Sequence, residues 1–320
     1  MKSPEKVTAF RNGEIKRNRG KGNMGMDACT LCPRMCGVNR AAGEKGYCGM
    51  DATIRAARAA LHMWEEPCIS GTQGSGAVFF SGCSLRCIFC QNFEIAEGNC
   101  AKEISGERLS EIFLELQEQG AANINLVTAA HYVPAVIESL KKAKAQGMDL
   151  PVIYNSSGYE RVETVQMLEE VVDVWLPDFK YMDSKLAFAY SRAKDYPEVA
   201  RAAIREMMKA AGTCAYDEDG YIQKGVIVRH LILPGHTKNS IAVLDELYGT
   251  YGDDLTISLM NQYTPLPQVR NIPDLNRRVT KREYEKVLDH ALDLGITQGF
   301  FQEGGTAKES FIPLFDYEGL

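Results

Sequence analysis

Three cysteines with the spacing CxxxCxxC, Cys83, Cys87 and Cys90, directly follow an apolar run at 77–80. Three thiolates can hold three irons of a four-iron cluster, which leaves the fourth iron without a protein ligand. A structural zinc site, by contrast, is closed by four ligands, and no fourth ligand follows closely behind Cys90. The spacing therefore favours an iron–sulfur cluster with one open iron over zinc.

A second group of four cysteines comes earlier in the chain, at Cys29, Cys32, Cys36 and Cys48. Glycines between and beside them permit tight turns, so we expect a compact segment, the cysteine knuckle, that needs a metal for its stability. Four protein ligands would close such a site, which gives it a structural or electron-transferring role. Two interpretations remain open for its metal, a second iron–sulfur cluster or structural zinc.

Length and composition are typical of a soluble globular protein. The 320 residues fit one α/β barrel with a small appendage, and 45% of them are hydrophobic and 24% charged. No apolar run is long enough to span a bilayer, so we expect no membrane association. The net charge of −6 argues against a nucleic-acid partner gripped through its phosphates.

Cysteine usage indicates the compartment. Seven of the ten cysteines fall in the two groups, and the basic first 21 residues lack the apolar core of a secretory signal. This pattern favours metal ligation in a reducing cytoplasm over disulfide formation. Because iron–sulfur clusters are oxygen-sensitive, we also expect an anaerobic setting.

From Ser105 onward, helical apolar spacing alternates with short apolar runs, which predicts a parallel sheet with right-handed crossovers. A capping box at Thr280 and Glu283 predicts the start of a late helix. The count gives six or seven parallel strands, an open version of the eight-stranded α/β barrel. The expected strands lie at 77–80, 124–127, 152–154, 171–176, 226–233, 255–260 and 299–302.

Polar side chains follow almost every predicted strand. In α/β barrels the carboxyl ends of the strands meet at one mouth, where ligands bind. Strand ends are also polar simply because they reach water, but six polar ends in register favour a binding site. The candidates are Thr128, His131, Asn155, Ser156, Ser157, Asp178, Lys180, Arg229, Asn261 and Gln262.

The run Phe-Phe-Ser-Gly-Cys at 79–83, continued through Cys90, Gln91 and Asn92, resembles the signature of the radical S-adenosylmethionine (SAM) superfamily, on the branch of pyruvate formate-lyase activating enzyme. The resemblance implies a partial (β/α)6 TIM-like barrel. We divide the chain into a flexible basic arm, a cysteine-rich region, the barrel and a docking tail, at 1–24, 25–75, 76–303 and 304–320.

The resemblance also implies an activity. The open iron of a 4Fe–4S cluster on Cys83, Cys87 and Cys90 would chelate SAM. One electron from an external flavodoxin- or ferredoxin-type reductant would then break a carbon–sulfur bond, and the 5′-deoxyadenosyl radical would take a hydrogen atom from a substrate. The branch implies a glycyl residue of a partner enzyme, while the cysteine knuckle leaves room for a peptide- or small-molecule-modifying oxidoreductase.

Individual residues follow from the same resemblance. Asp178 and Lys180 match the family's Asp-x-Lys motif, to which we assign catalytic and SAM-binding roles, with structural ion pairing as the alternative. Arg229 matches the basic residue on strand five. The family's Gly-Gly-Glu is absent, so Thr128 and His131 are the candidates for binding the SAM amine. The other expected SAM contacts are Gln91, Asn92, Asn155, Ser156, Ser157, Asn261 and Gln262.

A hypothesis from another class is a non-catalytic iron–sulfur electron carrier or redox sensor. It would explain both cysteine groups. It would not explain the polar strand ends, so the enzyme remains the favoured interpretation.

Overall fold

The computed structural model describes residues 26–302 and 313–320, so the arm predicted at 1–24 lies outside the described residues. The described strands are β1 Arg55–His62, β2 Ser75–Phe80, β3 Lys102–Glu103, β4 Ile124–Val127, β5 Val152–Ser156, β6 Val174–Pro177, β7 Ala215–Tyr216, β8 Ile222–Leu231, β9 Thr256–Met260 and β10 Gly299–Phe301. The described helices are α1 Pro67–Ser70, α2 Phe93–Ala96, α3 Gly106–Glu118, α4 Val133–Ala145, α5 Val162–Leu168, α6 Ser184–Ser191, α7 Tyr196–Ala211, α8 Thr237–Tyr251 and α9 Lys281–Asp293.

The strands form one sheet in the order β10-β9-β8-β6-β5-β4-β2-β1-β3, which leaves β10 and β3 at its two ends within the described chain. Every neighbouring pair from β10 to β2 is parallel. β1 and β3 add antiparallel strands at one edge, and β7 forms a hairpin with β8. The α/β class with an open parallel barrel is confirmed. Its seven parallel strands agree with the predicted count of six or seven and are one more than a (β/α)6 barrel has.

Helices between the parallel strands pack on the sheet through their apolar faces. α3 begins at the N-cap Ser105, whose hydroxyl accepts from the Arg108 backbone N–H, and it buries Leu109, Phe113 and Leu116. α9 begins with the predicted capping box, in which the Thr280 hydroxyl accepts from the Glu283 backbone N–H and the Glu283 carboxylate accepts from the Thr280 backbone N–H. Both helices therefore start where the sequence signals place them.

The sequence pattern did not predict β1. Its alanines at 56, 57, 59 and 60 are buried while Arg55 and Arg58 are only partly covered, so burial along the strand does not alternate with a period of two. The register to β2 shifts between Ala56 and Arg58. Ala56 and Ala59 pack into the main core, while Ala57 packs with Phe79 on the other side, so the strand is covered on both faces. Burial on both faces, together with the bulge, is why the alternation rule fails here.

The described part of the tail, 313–320, lies along β1. The Tyr317 backbone N–H donates to the Ala57 carbonyl at 3.0 Å, and the Ala59 N–H donates to the Glu318 carbonyl at 2.8 Å. The Phe315 ring packs edge-on against Phe79 at 5.7 Å between centroids. Among the described helices, none combines the length and apolarity needed to cross a membrane.

Candidate functional site

A cavity of about 240 Å³ opens at the carboxyl ends of the parallel strands. Of the described cysteines, only Cys83, Cys87 and Cys90 line it. The structure also brings most of the predicted polar residues to this cavity. They are Gln91, Asn92, Thr128, Asn155, Ser156, Ser157, Asp178, Lys180, Arg229 and Gln262.

Hydrogen bonds hold the sulfurs of the cysteine loop. The backbone N–H groups of Leu85 and Arg86 point at Cys83 Sγ, at 3.3 and 3.4 Å. The Ser191 hydroxyl donates to Cys87 Sγ at 3.1 Å. Hydrogen bonds of this kind stabilise thiolate ligands and tune the potential of a cluster. The donor set therefore fits an iron–sulfur cluster with three protein ligands.

Burial also acts on these thiols. It raises the pKa of Cys87, an effect opposed by the nearby Lys180 ammonium, and it raises the pKa of Cys90. Metal ligation requires the thiolate form, so a cluster bound here would displace protons from the two groups.

Four charged side chains form a network along the cavity wall. Arg229 lies at its centre, with Nε 3.1 Å from Asp178 Oδ1 and Nη1 3.0 Å from Glu65 Oε2. Lys180 Nζ lies 2.5 Å from Asp178 Oδ2, and Arg229 Nη2 donates to Asn155 Oδ1 at 2.5 Å. Two carboxylates and two cations give the network no net formal charge.

The pKa values of the network follow from its pairing. Burial alone would raise the pKa of Asp178, but the adjacent Lys180 and Arg229 cations lower it below its usual value. Burial would lower the pKa of Lys180, and the Asp178 carboxylate raises it instead. All three groups are therefore ionised at neutral pH.

Glu65 had no role in the sequence interpretation. Its Oε1 accepts from Asn125 Nδ2 and from Asn155 Nδ2, both at 3.1 Å. It reaches the barrel interior from the loop after β1, the strand that the pattern did not reveal. Recognising β1 would have placed Glu65 at a strand end and so among the candidates.

Tyr196 is a second residue that the sequence interpretation missed. Its buried hydroxyl accepts from the Lys180 backbone N–H at 2.9 Å and lies within donor range of the Ser157 and Asp178 carbonyls, at 2.8 and 2.9 Å. The side chain fixes two neighbouring strand ends to each other. A tyrosine at the first turn of a helix carries no sequence signal for this contact.

The backbone around the cavity is unusual at two positions. Thr128 has φ of 63°, a left-handed conformation that is rare for a β-branched residue and that occurs chiefly at functional sites. Gly158 has φ of 72°, and a Cβ at this position would lie 2.1 Å from the Asp178 carbonyl oxygen. Only glycine permits this approach of the loop after β5 to the end of β6.

Two predicted SAM contacts lie elsewhere. His131 is buried, and its Nε2 lies 2.7 Å from the Ser81 carbonyl, which can only accept, so the ring donates into the protein. The Asn261 backbone N–H donates to Gln302 Oε1 at 3.0 Å. Neither residue lines the cavity. Of the two candidates for the SAM amine, only Thr128 faces the cavity.

The cysteine knuckle packs against the barrel beside the cysteine loop. The buried Arg40 guanidinium donates to the carbonyls of His131 and Asp51, both at 2.5 Å, and of Met50 at 3.2 Å. A Cβ at Gly82 would lie 2.9 Å from the Cys48 carbonyl oxygen. The knuckle backbone therefore contacts the residue next to Cys83.

Within the knuckle, the four cysteines lie close enough together for neighbouring thiolates to raise one another's pKa. Burial raises the pKa of Cys32 and of Cys48, and Cys36 adds to both shifts. Across residues 26–302 and 313–320, no three His, Cys, Asp or Glu side chains are placed to hold a single metal ion. The choice between a second cluster and zinc stays a prediction.

Comparison with known proteins identifies a relative that aligns with most of the chain. No family model matches the chain. The uncharacterized protein MJ0674 of Methanocaldococcus jannaschii is 29% identical over 270 residues, an alignment that covers 82% of this chain and 74% of that protein. The similarity extends over most of both chains.

Several solved structures are similar to parts of the chain. They include Streptococcus suis SuiB bound to S-adenosylmethionine, with a TM-score of 0.46, 14% identity and 69% of this chain covered. HydG, a maturase of the FeFe-hydrogenase, has a TM-score of 0.49 and 14% identity, covering 74% of this chain and 54% of its own. A domain of pyruvate-formate lyase-activating enzyme from Bacteroides vulgatus has a TM-score of 0.38 and 17% identity, covering 54% of this chain and 92% of its own. The chain spans about half of SuiB, 48% of its length.

Proposed function

We propose that this chain is a radical SAM enzyme. One observation carries the proposal: the three cysteines of the CxxxCxxC motif and the charged network of Glu65, Asp178, Lys180 and Arg229 open into the same cavity. When bound, a 4Fe–4S cluster and SAM would supply a 5′-deoxyadenosyl radical that takes a hydrogen atom from the substrate.

The cysteines would hold the cluster, and the polar side chains around them would bind SAM. SAM is zwitterionic and carries a ribose diol, so its site needs an anion, a cation and neutral hydrogen-bonding groups. Asp178 supplies the anion and Lys180 the cation. Ser156, Ser157 and Gln262 supply neutral groups on the same wall.

Apolar side chains form the other part of the cavity wall. Apolar side chains from β2, the cysteine loop, β4, β8 and β9 close it on several sides, namely Phe79, Leu85, Phe89, Val127, Leu231 and Met260. Apolar surface beside the reacting groups limits the water that can quench a reactive species.

We further propose that the hydrogen atom comes from a glycyl residue of a partner protein, which the resemblance to activating enzymes supports. A peptide or small-molecule substrate is the alternative. The proposal places the enzyme in a reducing, anaerobic cytoplasm, because an open cluster is lost on oxidation.

Cleavage of SAM tests the proposed function directly. The chain is reconstituted with iron and sulfide, reduced with dithionite under anaerobic conditions and incubated with SAM. We expect 5′-deoxyadenosine, measured by chromatography and mass spectrometry, and no product from Cys87→Ala, which removes a proposed cluster ligand. With partner proteins deuterated at glycine, deuterium in the 5′-deoxyadenosine would identify a glycyl substrate.

Cys100→Ala is the matched control. Cys100 lies outside the cavity, with its Sγ 3.0 Å from the Phe315 carbonyl, so this variant should retain the product. A wild-type chain that carries its cluster, accepts electrons and leaves SAM intact would instead be an electron carrier. That result would refute the proposed function.

A further inference from the structure

A basic and partly apolar surface lies over the cysteine loop. It consists of Arg34, Arg86 and Arg192 with the exposed side chains of Met35 and Phe188, and we call it the arginine face. Met35 is 55% and Phe188 51% exposed. Aromatic residues, methionine and arginine are enriched in protein interfaces relative to the rest of the surface.

Contacts between these residues make the surface continuous. The Arg34 guanidinium stacks 4.0 Å from the centre of the Tyr47 ring, and Arg86 lies over the same ring at 5.8 Å. Arg34 Nη1 donates to the Arg192 carbonyl at 2.5 Å. The Arg192 guanidinium in turn lies 5.6 Å from the centre of the Phe188 ring.

No carboxylate neutralises these three cations within the described residues. The salt bridges found there involve none of Arg34, Arg86 and Arg192. Arg34 donates only to carbonyl oxygens, which carry no formal charge, and Arg86 Nε is buried without a hydrogen-bond partner. The three arginines therefore bring formal positive charge, without a salt-bridged carboxylate, to one face of a chain whose net charge is −6.

The same face covers both cysteine groups. Arg34 Nε donates to the carbonyl of Ser84, the residue after Cys83, at 2.8 Å. Arg34 Nη2 donates to the carbonyl of Ser191, at 2.8 Å, and the hydroxyl of Ser191 contacts Cys87 Sγ. On the knuckle side, the Tyr47 backbone N–H points at Cys36 Sγ at 3.3 Å.

We propose that the arginine face docks an acidic one-electron carrier protein, of the flavodoxin or ferredoxin class. The inference rests on the proposed function, since it names where the required electron enters. Each docking event transfers one electron: the carrier is oxidised by one electron and the cluster on Cys83, Cys87 and Cys90 is reduced by one. No proton is transferred between the two proteins, and no covalent bond is formed or broken in this step.

Charge and contact area have separate roles in such a complex. Uncompensated arginines attract an acidic partner at long range and raise the association rate, an effect that salt weakens. Met35 and Phe188 supply the apolar contact that short-lived complexes use at their centre. Arg34 contacts Ser84, the residue next to Cys83, so a carrier bound at the arginine face lies close to the cluster.

The test is the rate at which the anaerobic, cluster-loaded chain accepts electrons. The probe is a flavodoxin of net negative charge, photoreduced to its hydroquinone, with cluster reduction followed by stopped-flow absorbance in the absence of SAM. We expect the second-order rate constant of Arg192→Glu/Phe188→Ser to fall at least about tenfold, and the wild-type rate to fall steeply with added salt. Reduction by dithionite, which needs no docking, should be unchanged.

Lys224→Glu is the matched control, because Lys224 is an exposed cation at the amino-terminal end of β8, opposite the cysteines. It makes the same change in net charge and should keep the wild-type rate. Equal rates for the double variant and for Lys224→Glu would overturn the proposal, as would a single-stranded oligonucleotide that binds the face as tightly as flavodoxin. Normal flavodoxin reduction without SAM cleavage would refute the proposed function and leave the docking face standing.

Discussion

Arg229 shows how one side chain can organise a site. Its guanidinium contacts two carboxylates and one amide oxygen that come from three separate segments of the chain. A planar guanidinium offers several donors in fixed directions, which a lysine ammonium cannot reproduce. Of these partners, Glu65 is the one that comes from outside the parallel strands.

Glu65→Gln is therefore expected to destabilise the chain. The change leaves Arg229 with a single carboxylate, which it shares with Lys180, and gives the network a net positive charge. Removing one partner of a buried pair costs about 3 kcal/mol of unfolding free energy. Denaturant unfolding of the metal-free chain, followed by circular dichroism, measures this loss.

Glu103→Gln provides the comparison at the surface. Glu103 pairs with Arg55 at 2.7 Å, but its side chain is 64% exposed. An exposed pair contributes less than about 1 kcal/mol. Equal losses for the two variants would show that the Arg229 network does not hold the cavity wall together.

At the scale of elements, the cysteine knuckle is attached to the barrel by buried polar contacts. Arg40 is 1% exposed, and its guanidinium ties the knuckle to the carbonyl that follows β4, at His131. Arg161 Nη1 and Thr164 Oγ1 donate to the knuckle carbonyls of Thr30 and Leu31, both at 2.6 Å. The knuckle is thus bound at two places.

Arg40→Met is expected to loosen the knuckle. It leaves three buried carbonyls without their donor, a cost of about 3–5 kcal/mol in the local opening free energy. Hydrogen exchange of the metal-free chain should then be faster at residues 26–50, where the Cys29 and Gly37 backbone N–H groups are normally bonded. The exposed Lys45→Met, within the same segment, should leave exchange unchanged.

At the scale of the whole molecule, folding stability is expected to decrease in acid, and buried His230 is one cause. This ring is fully buried, with Nδ1 2.7 Å from the Phe179 carbonyl and Nε2 2.9 Å from the Ser240 hydroxyl. The carbonyl only accepts, so Nδ1 carries the proton and Nε2 accepts from Ser240. Burial lowers the pKa of His230 from its usual 6.5 to about 4.

This shift makes the folded state less stable at low pH. Between pH 6.5 and 4 the unfolded ring takes up a proton that the folded ring does not, so stability falls as the pH falls. We expect the stability advantage of wild type over His230→Gln to shrink by about 3 kcal/mol across this window. Unfolding free energies measured at several pH values provide the check.

Ser240→Ala serves as the comparison for that experiment. It removes the hydroxyl partner of Nε2 and keeps the ring that titrates. Its difference from wild type should therefore depend on pH much less than that of His230→Gln. A constant difference between wild type and His230→Gln from pH 6.5 to 4 would contradict the assignment.

Local signals accounted for most of the fold. The alternation of helical and strand patterns gave the parallel sheet, and the Thr280 capping box gave the start of α9. These features depend on interactions between residues a few positions apart, which form independently of the tertiary fold. β1 was missed because both of its faces are covered and a bulge interrupts its register, so burial does not alternate along the strand.

The sequence by itself determined the three-cysteine motif, the α/β class and most of the polar side chains at the mouth of the barrel. Only the tertiary structure decided that Glu65 pairs with Arg229, that His131 points into the protein and that three arginines meet over the cysteine loop. The spacing of residues that are close in sequence determines which local structures and metal-binding motifs they can form. Contacts between residues 50 to 164 positions apart depend on strand order and register, which no short stretch of sequence encodes.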